Sequence, residues 1–325
     1  MAEKNLNSMS SKTRCSFRAG SRGADSFLLY CVAILALLGL GAGRGMAQEA
    51  APKGAATKQI IFLAGPKDHA PAGRHEYEKD LRLLAECLEN SPNLHGVSTK
   101  VYLGKAPQDI SELKGAAAFV ILSSSDARTN ETHPLFPPSP TTDGRSYKGE
   151  TATYLNEFDK LVKAGAGVVV LHYAIQAQNW KARSYYMNWV GGLWTPEGYS
   201  QNPLGIWNIS PVESSKQHPV LRGVHPFTYA DEIFCKFMGP MIDAKRTELV
   251  MATTTNSNQG AVGPTVASWA YQRDNGGRGF VYGGVDVHAA MQTEDYRRLL
   301  LNGIAWAAQL EIPEGGVQSS IRKDQ

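Results

Sequence analysis

Cysteine is scarce in this chain. Four occur in 325 residues, and two of them, Cys15 and Cys31, lie among the first 47. Cys87 and Cys235 are too few and too far apart to make a disulfide scaffold. They are either one bridge, as an oxidising compartment permits, or two separate thiols. Cys87 shares a helical apolar stripe with Leu84 and Leu88, which favours a small buried hydrophobe there. Several nucleotide and catalytic signatures are also missing. No Gly-x-Gly-x-x-Gly and no Walker loop follow the first apolar run, so no nucleotide cofactor is expected. There is no Gly-x-Ser-x-Gly elbow and no His-Glu-x-x-His helix.

A basic surface is missing too, although the formal charge of +3 suggests one at first. Six of the 33 basic and two of the 30 acidic residues lie in 1–47, which leaves 27 against 28 and a net charge of −1. No basic stripe remains for nucleic acid. Residues 1–47 read instead as a secretory signal. Lys4, Lys12, Arg14, Arg18 and Arg22 precede an apolar run from Phe27 to Gly43, and Gly45-Met46-Ala47 offers small residues for cleavage after Ala47. The run is short for a membrane span. An exported protein, periplasmic or secreted, is expected, with no stable membrane insertion after cleavage. Residues 48–58 form an Ala/Pro/Gly-rich leader, 59–317 one large domain and 318–325 a tail.

Within the domain, apolar runs alternate with amphipathic stretches. Gln59–Ala64, Ser98–Leu103, Ala116–Leu122 and Gly167–His172 read as strands, with Leu249–Thr253, Val266–Trp269 and Gly279–Tyr282 later. His75–Glu89, Thr153–Ala164 and Asp295–Gln309 read as helices. Unbroken apolar strands between helices predict an α/β fold with a mostly parallel sheet and helices on both faces. Residues 125–148 and 188–227 read as long irregular stretches, the second rich in tryptophan.

Five polar clusters fall at predicted strand ends or in loops, where such sheets bind ligands. They are Asp68-His69 with Arg74-His75-Glu76, His172-Tyr173, Gly198-Tyr199-Ser200-Gln201-Asn202, His218 with Asp231-Glu232, and Asp286-x-His288. In extended chain, residues two apart share a face, so Asp286 and His288 are expected to converge on one ligand or metal. The spacing alone does not name a substrate.

These clusters, in their order, resemble the ThuA-like (trehalose-utilisation) family of the class I glutamine amidotransferase-like superfamily. The matching pieces are GPKDHAPAGRHEYE (65–78), GVVVLHYA (167–174), WVGG (189–192), GYSQNP (198–203), HPVLRGVHPF (218–227), DEIF (231–234) and the stretch 284–317. The LHYA and PEGGV versions are similar to exported, planctomycete-type members. The resemblance implies a flavodoxin-like sheet. It also implies loss of glutamine hydrolysis, because His172 stands at the elbow where an amidotransferase places its cysteine. The implied ligand is a small carbohydrate or keto-sugar, as in trehalose and 3-keto-glycoside metabolism. His172 and His288 are then acid/base or metal-ligand groups, with Asp286 orienting or co-ligating a divalent ion such as zinc. The family's usual His-x-His has Asp286 in its first position here. His69, His75 and Glu76 would close the site, Tyr173, Trp194 and Tyr199 would stack on the sugar, and Asp231 and Glu232 would contact it. A carbohydrate isomerase, lyase or hydrolase is the leading expectation. A non-catalytic carbohydrate-binding protein and a metal-dependent hydrolase of another small substrate are the alternatives.

Overall fold

The computed structural model describes residues 56–130, 132–139, 146–197, 199–239 and 243–321. All of them lie in the second of two compact units, which runs from Ala51 to Gln325. The predicted signal, most of the leader, Gly198 and the end of the tail fall outside the described residues.

The chain runs β1 (Lys58–Ala64), α1 (Tyr77–Glu89), β2 (Val97–Leu103), β3 (Ala118–Leu122), α2 (Gly149–Lys163), β4 (Gly167–Leu171), α3 (Trp180–Val190), β5 (Leu204–Pro211), β6 (Phe227–Glu232), β7 (Arg246–Ser257), β8 (Val262–Gln272), β9 (Arg278–Tyr282) and α4 (Glu294–Ala307). Among the described residues the strands form one sheet in the order β2-β1-β3-β4-β9-β8-β7-β5-β6. Neighbours from β2 to β9 pair in parallel. That half has the flavodoxin-like order. From β9 outward every pairing is antiparallel.

The unbroken apolar strands β3 and β4 are buried at every residue, because helices cover both faces. Alternate residues serve different cores. Phe62, Val120 and Val169 pack with Leu84 of α1 and Leu300 of α4. Leu63, Ile121 and Val170 pack with Phe158 of α2 and Trp189 of α3. Cys87 and Cys235 are both buried and unbridged.

The stretch 188–227, expected to be irregular, contains β5 and the end of α3. On β5 only Trp207 and Ile209 turn inward, and polar residues or the exposed Ile206 stand between them. Two buried residues make too short an alternation to announce a strand. Helix α3 begins at Asn179, whose side chain accepts from Lys181 N. Its mixture of Lys, Arg, Tyr and Trp hides its apolar stripe.

Candidate functional site

Three loops at the carboxyl edge of the parallel half meet. The loop 65–76 leaves β1, the turn at His172 leaves β4, and the segment 283–288 leaves β9. The first and last join like a short ribbon. Arg74 bridges Val287, His75 N donates to Asp286 O at 2.9 Å, and His288 N donates to Gly73 O at 2.9 Å. Gly283 and Gly284 are needed for this approach. A Cβ at Gly283 would stand 2.0 Å from Phe234 O, and one at Gly284 2.7 Å from Asp231 Oδ2. Beyond them Val285 is held at φ 91°, an unfavourable value for a β-branched residue. The Asp231 carboxylate supports that turn by accepting from the backbone N–H groups of Val285, Asp286 and Val287. His172 itself takes φ 50° at the elbow after β4.

The turn delivers Asp286, fully buried, beside two imidazoles. His75 Nε2 and His172 Nε2 lie 3.2 Å apart. Asp286 Oδ1 lies 3.2 Å from His75 Nε2 and 3.9 Å from His172 Nε2, yet it makes no hydrogen bond. The other ring nitrogens assign the hydrogens. His75 Nδ1 faces Asp68 Oδ1 at 2.5 Å, and His172 Nδ1 faces the Gly283 carbonyl at 3.2 Å. A carboxylate and a carbonyl only accept, so each Nδ1 carries a hydrogen and each Nε2 is turned toward the other ring. Two Nε2 atoms and an unbonded carboxylate oxygen around one point could hold a metal ion. Their ligand atoms lie within 4.8 Å of one another. Nitrogen and carboxylate donors, each imidazole fixed through its other nitrogen, suit zinc or a similar divalent ion.

The surroundings tune these groups. Burial, and then the nearby His75, hold His172 well below the ordinary imidazole range. Burial alone would raise Asp68, but hydrogen bonds from His75 and Tyr77 bring it down to about 2. Burial raises Asp286, while His75 and Arg74 pull the other way. Arg74 Nε donates to Asp286 Oδ2 at 2.5 Å and its other end to Glu232 Oε2 at 2.6 Å. Burial raises Glu232 despite that partner. Above the cluster opens a cavity of about 420 Å³, lined by His69, His75, Tyr173, Trp194, Glu232 and Phe234 among others.

The ThuA family profile, described as trehalose utilisation, matches residues 74–307. The chain belongs to the ThuA family. The structure is similar to a ThuA-like protein of Bacteroides uniformis (14% identity, TM-score 0.53, 77% of this chain and 91% of that one). It is also similar to one of Parabacteroides merdae (20% identity, TM-score 0.50, 82% of this chain and 94% of that one). No curated protein matches.

In this ThuA chain the expected residues divide. His75, His172 and Asp286 converge, whereas His288 does not join them. Its Nδ1 turns to the buried Asp80 Oδ1 at 2.5 Å, at the start of the 3-10 turn His288–Gln292. His69, Tyr173, Trp194 and Glu232 line the cavity. Glu76 closes its own loop instead, bonding Lys67 Nζ at 2.7 Å and Gly73 N at 2.8 Å. Asp231 is fully buried, and its oxygens are engaged by the 285–287 turn. Tyr199 lies on a different cavity. Asp68, Arg74 and Asp80 were absent from the expected site. The first two were visible as neighbours of His69 and His75, but Asp80 sits on the buried side of α1 and carried no signal beyond a lone charge in an apolar stripe.

Proposed function

We propose that this ThuA-family protein acts on a sugar or keto-sugar in the 420 Å³ cavity, assisted by a divalent metal held by His75, His172 and Asp286. The unbonded, buried Asp286 Oδ1 beside two imidazole Nε2 atoms carries the reading. A bound divalent ion would polarise a substrate oxygen as a Lewis acid. The protein's own groups supply the rest. Tyr173, Trp194 and Phe234 offer apolar faces to a ring, and Gln176, Asn202 and Glu232 offer partners for its hydroxyls. His69 is the imidazole on the cavity side, 3.4 Å from Asp68, and is placed to take or give a proton.

A keto-sugar has an acidic C–H beside its carbonyl. A base at His69 takes that proton, and the electron pair moves onto the carbonyl oxygen as an enolate. Its return expels the glycosidic oxygen from the next carbon, and that oxygen takes up a proton. Glutamine hydrolysis is not proposed, since His172 occupies the elbow and Cys87 and Cys235 are buried elsewhere. We also propose export, on the strength of the signal-like residues 1–47; among the described residues no helix is long and apolar enough to cross a membrane.

The test is incubation of the zinc- or manganese-loaded protein with 3-keto-trehalose and with trehalose, products being separated by chromatography. Conversion of the keto-sugar that falls at least about a hundredfold in His69→Ala and in His172→Ala supports the reading. Unchanged conversion in both variants sinks it. Binding without conversion would make the protein a carbohydrate-binding member instead.

A further inference from the structure

A second cavity, of about 770 Å³, lies on the antiparallel half of the sheet. The segments 193–201 and 235–238 are bridged at Leu193–Met238 and Gln201–Cys235. Trp194 and Phe234, at this ribbon, line the inner cavity, whereas Tyr199, Phe237 and Met238 line the outer one. Tyr199 is 67% exposed and Met238 46%.

The floor of this cavity is built around a guanidinium. The Arg246 guanidinium carbon lies over the buried Trp269 ring, 4.2 Å from its centroid. Glycines make room for it: a Cβ on Gly239 would stand 2.7 Å from its nearer terminal nitrogen, and one on Gly192 3.1 Å. Arg246 has five N–H donors. It uses one, in a long 3.4 Å bond to Gly191 O, and among the described residues no carboxylate pairs with it. Asp243 and Glu248 line the same cavity, as does Lys236, whose ammonium lies 6.0 Å from the Tyr199 ring centroid.

These walls ask three things of a ligand. It must accept from a guanidinium, donate to carboxylates and lay an apolar face on an aromatic ring. An anion meets the first and is repelled by Asp243 and Glu248. A simple cation meets the second and is repelled by Arg246 and Lys236. A hydroxyl both donates and accepts, and a pyranose ring has a face of C–H groups. We propose that this outer cavity is a second binding site, for a neutral saccharide, with Tyr199 as its platform and Arg246 as its principal donor. The ligand class follows from the lining alone and does not depend on metal or chemistry in the inner cavity.

Calorimetry with cellotetraose, maltotetraose and laminaritetraose on the purified protein tests it, with triglycine and trigalacturonate as charged comparators. Fluorescence gives a second readout, since Trp269 lies under Arg246. At least one neutral tetrasaccharide is expected to bind, and Tyr199→Ala and Arg246→Met each weaken that binding by about tenfold or more. His75→Ala leaves it unchanged. Tyr199→Ala alters an exposed side chain and decides the matter even where Arg246→Met fails to fold. The proposal is overturned by no neutral binding up to about 10 mM, by binding only of a charged comparator, or by binding that survives Tyr199→Ala. Loss of binding in His75→Ala alone would move the saccharide to the inner cavity and overturn it equally.

Discussion

The two halves of the sheet use polar residues in opposite ways. On the parallel half, His172 and Asp286 are fully buried, and Asp286 Oδ1 has no hydrogen-bond partner. On the antiparallel half, Arg246 and Tyr199 line an open cavity, and among the described residues the Arg246 side chain makes one long hydrogen bond. Burial is what separates the two sets of groups. A buried unpaired polar atom costs about 1–3 kcal/mol, so it persists where something completes it.

The largest effect should come from breaking the buried cluster. His172→Ala removes one imidazole from the proposed metal site, and metal affinity measured against a chelator should fall by at least about a hundredfold. Tyr199→Ala in the same assay should change nothing. A comparable loss in both would erase the contrast between the halves.

Next is Asp231→Asn. The amide has one acceptor oxygen where the carboxylate has two, and it presents N–H to a turn that supplies only N–H groups. Denaturant melts should show a loss of about 1–3 kcal/mol. Metal affinity should fall about ten- to a hundredfold, because the turn that aims Asp286 is loosened. A stability loss with unchanged metal affinity would make Asp231 purely structural.

A third test uses pH. Asp68 is depressed in the folded protein to about 2 from 3.8, so it contributes stability above pH 3.8 that is lost as pH falls toward 2. The size is about 2 kcal/mol. Asp68→Asn should flatten the acid limb of the stability curve between about pH 4 and 2. An unaltered acid limb would show that the His75–Asp68 contact is not a strong one. The smallest expected effect is that of Tyr199→Ala on stability, within about 0.5 kcal/mol by thermal melt.

Much of the parallel half was legible. Strands such as GVVVL carry an unbroken apolar run that only a doubly covered sheet requires, and the polar residues at their ends could be placed by topology alone. The antiparallel half was harder, because β5 carries only two inward residues and β6 reads as a short alternation of Phe227, Tyr229 and Asp231. In the site, His172 and Asp286 stood out because a charged or titratable side chain ended an apolar strand. The partners of Asp286 did not. Local spacing favoured His288, two residues away, while the true neighbours come from Arg74 and His75, some 210 residues distant. Chain pairing between 73–75 and 286–288 decides this, and nothing in either segment alone announces it.

The most direct measurement is metal content by elemental analysis of the protein purified under zinc-replete conditions, beside His172→Ala and His288→Ala. About one equivalent is expected in the parent, with loss in His172→Ala and retention in His288→Ala, whose imidazole faces Asp80. No metal in the parent, or loss only in His288→Ala, would contradict the proposed metal site.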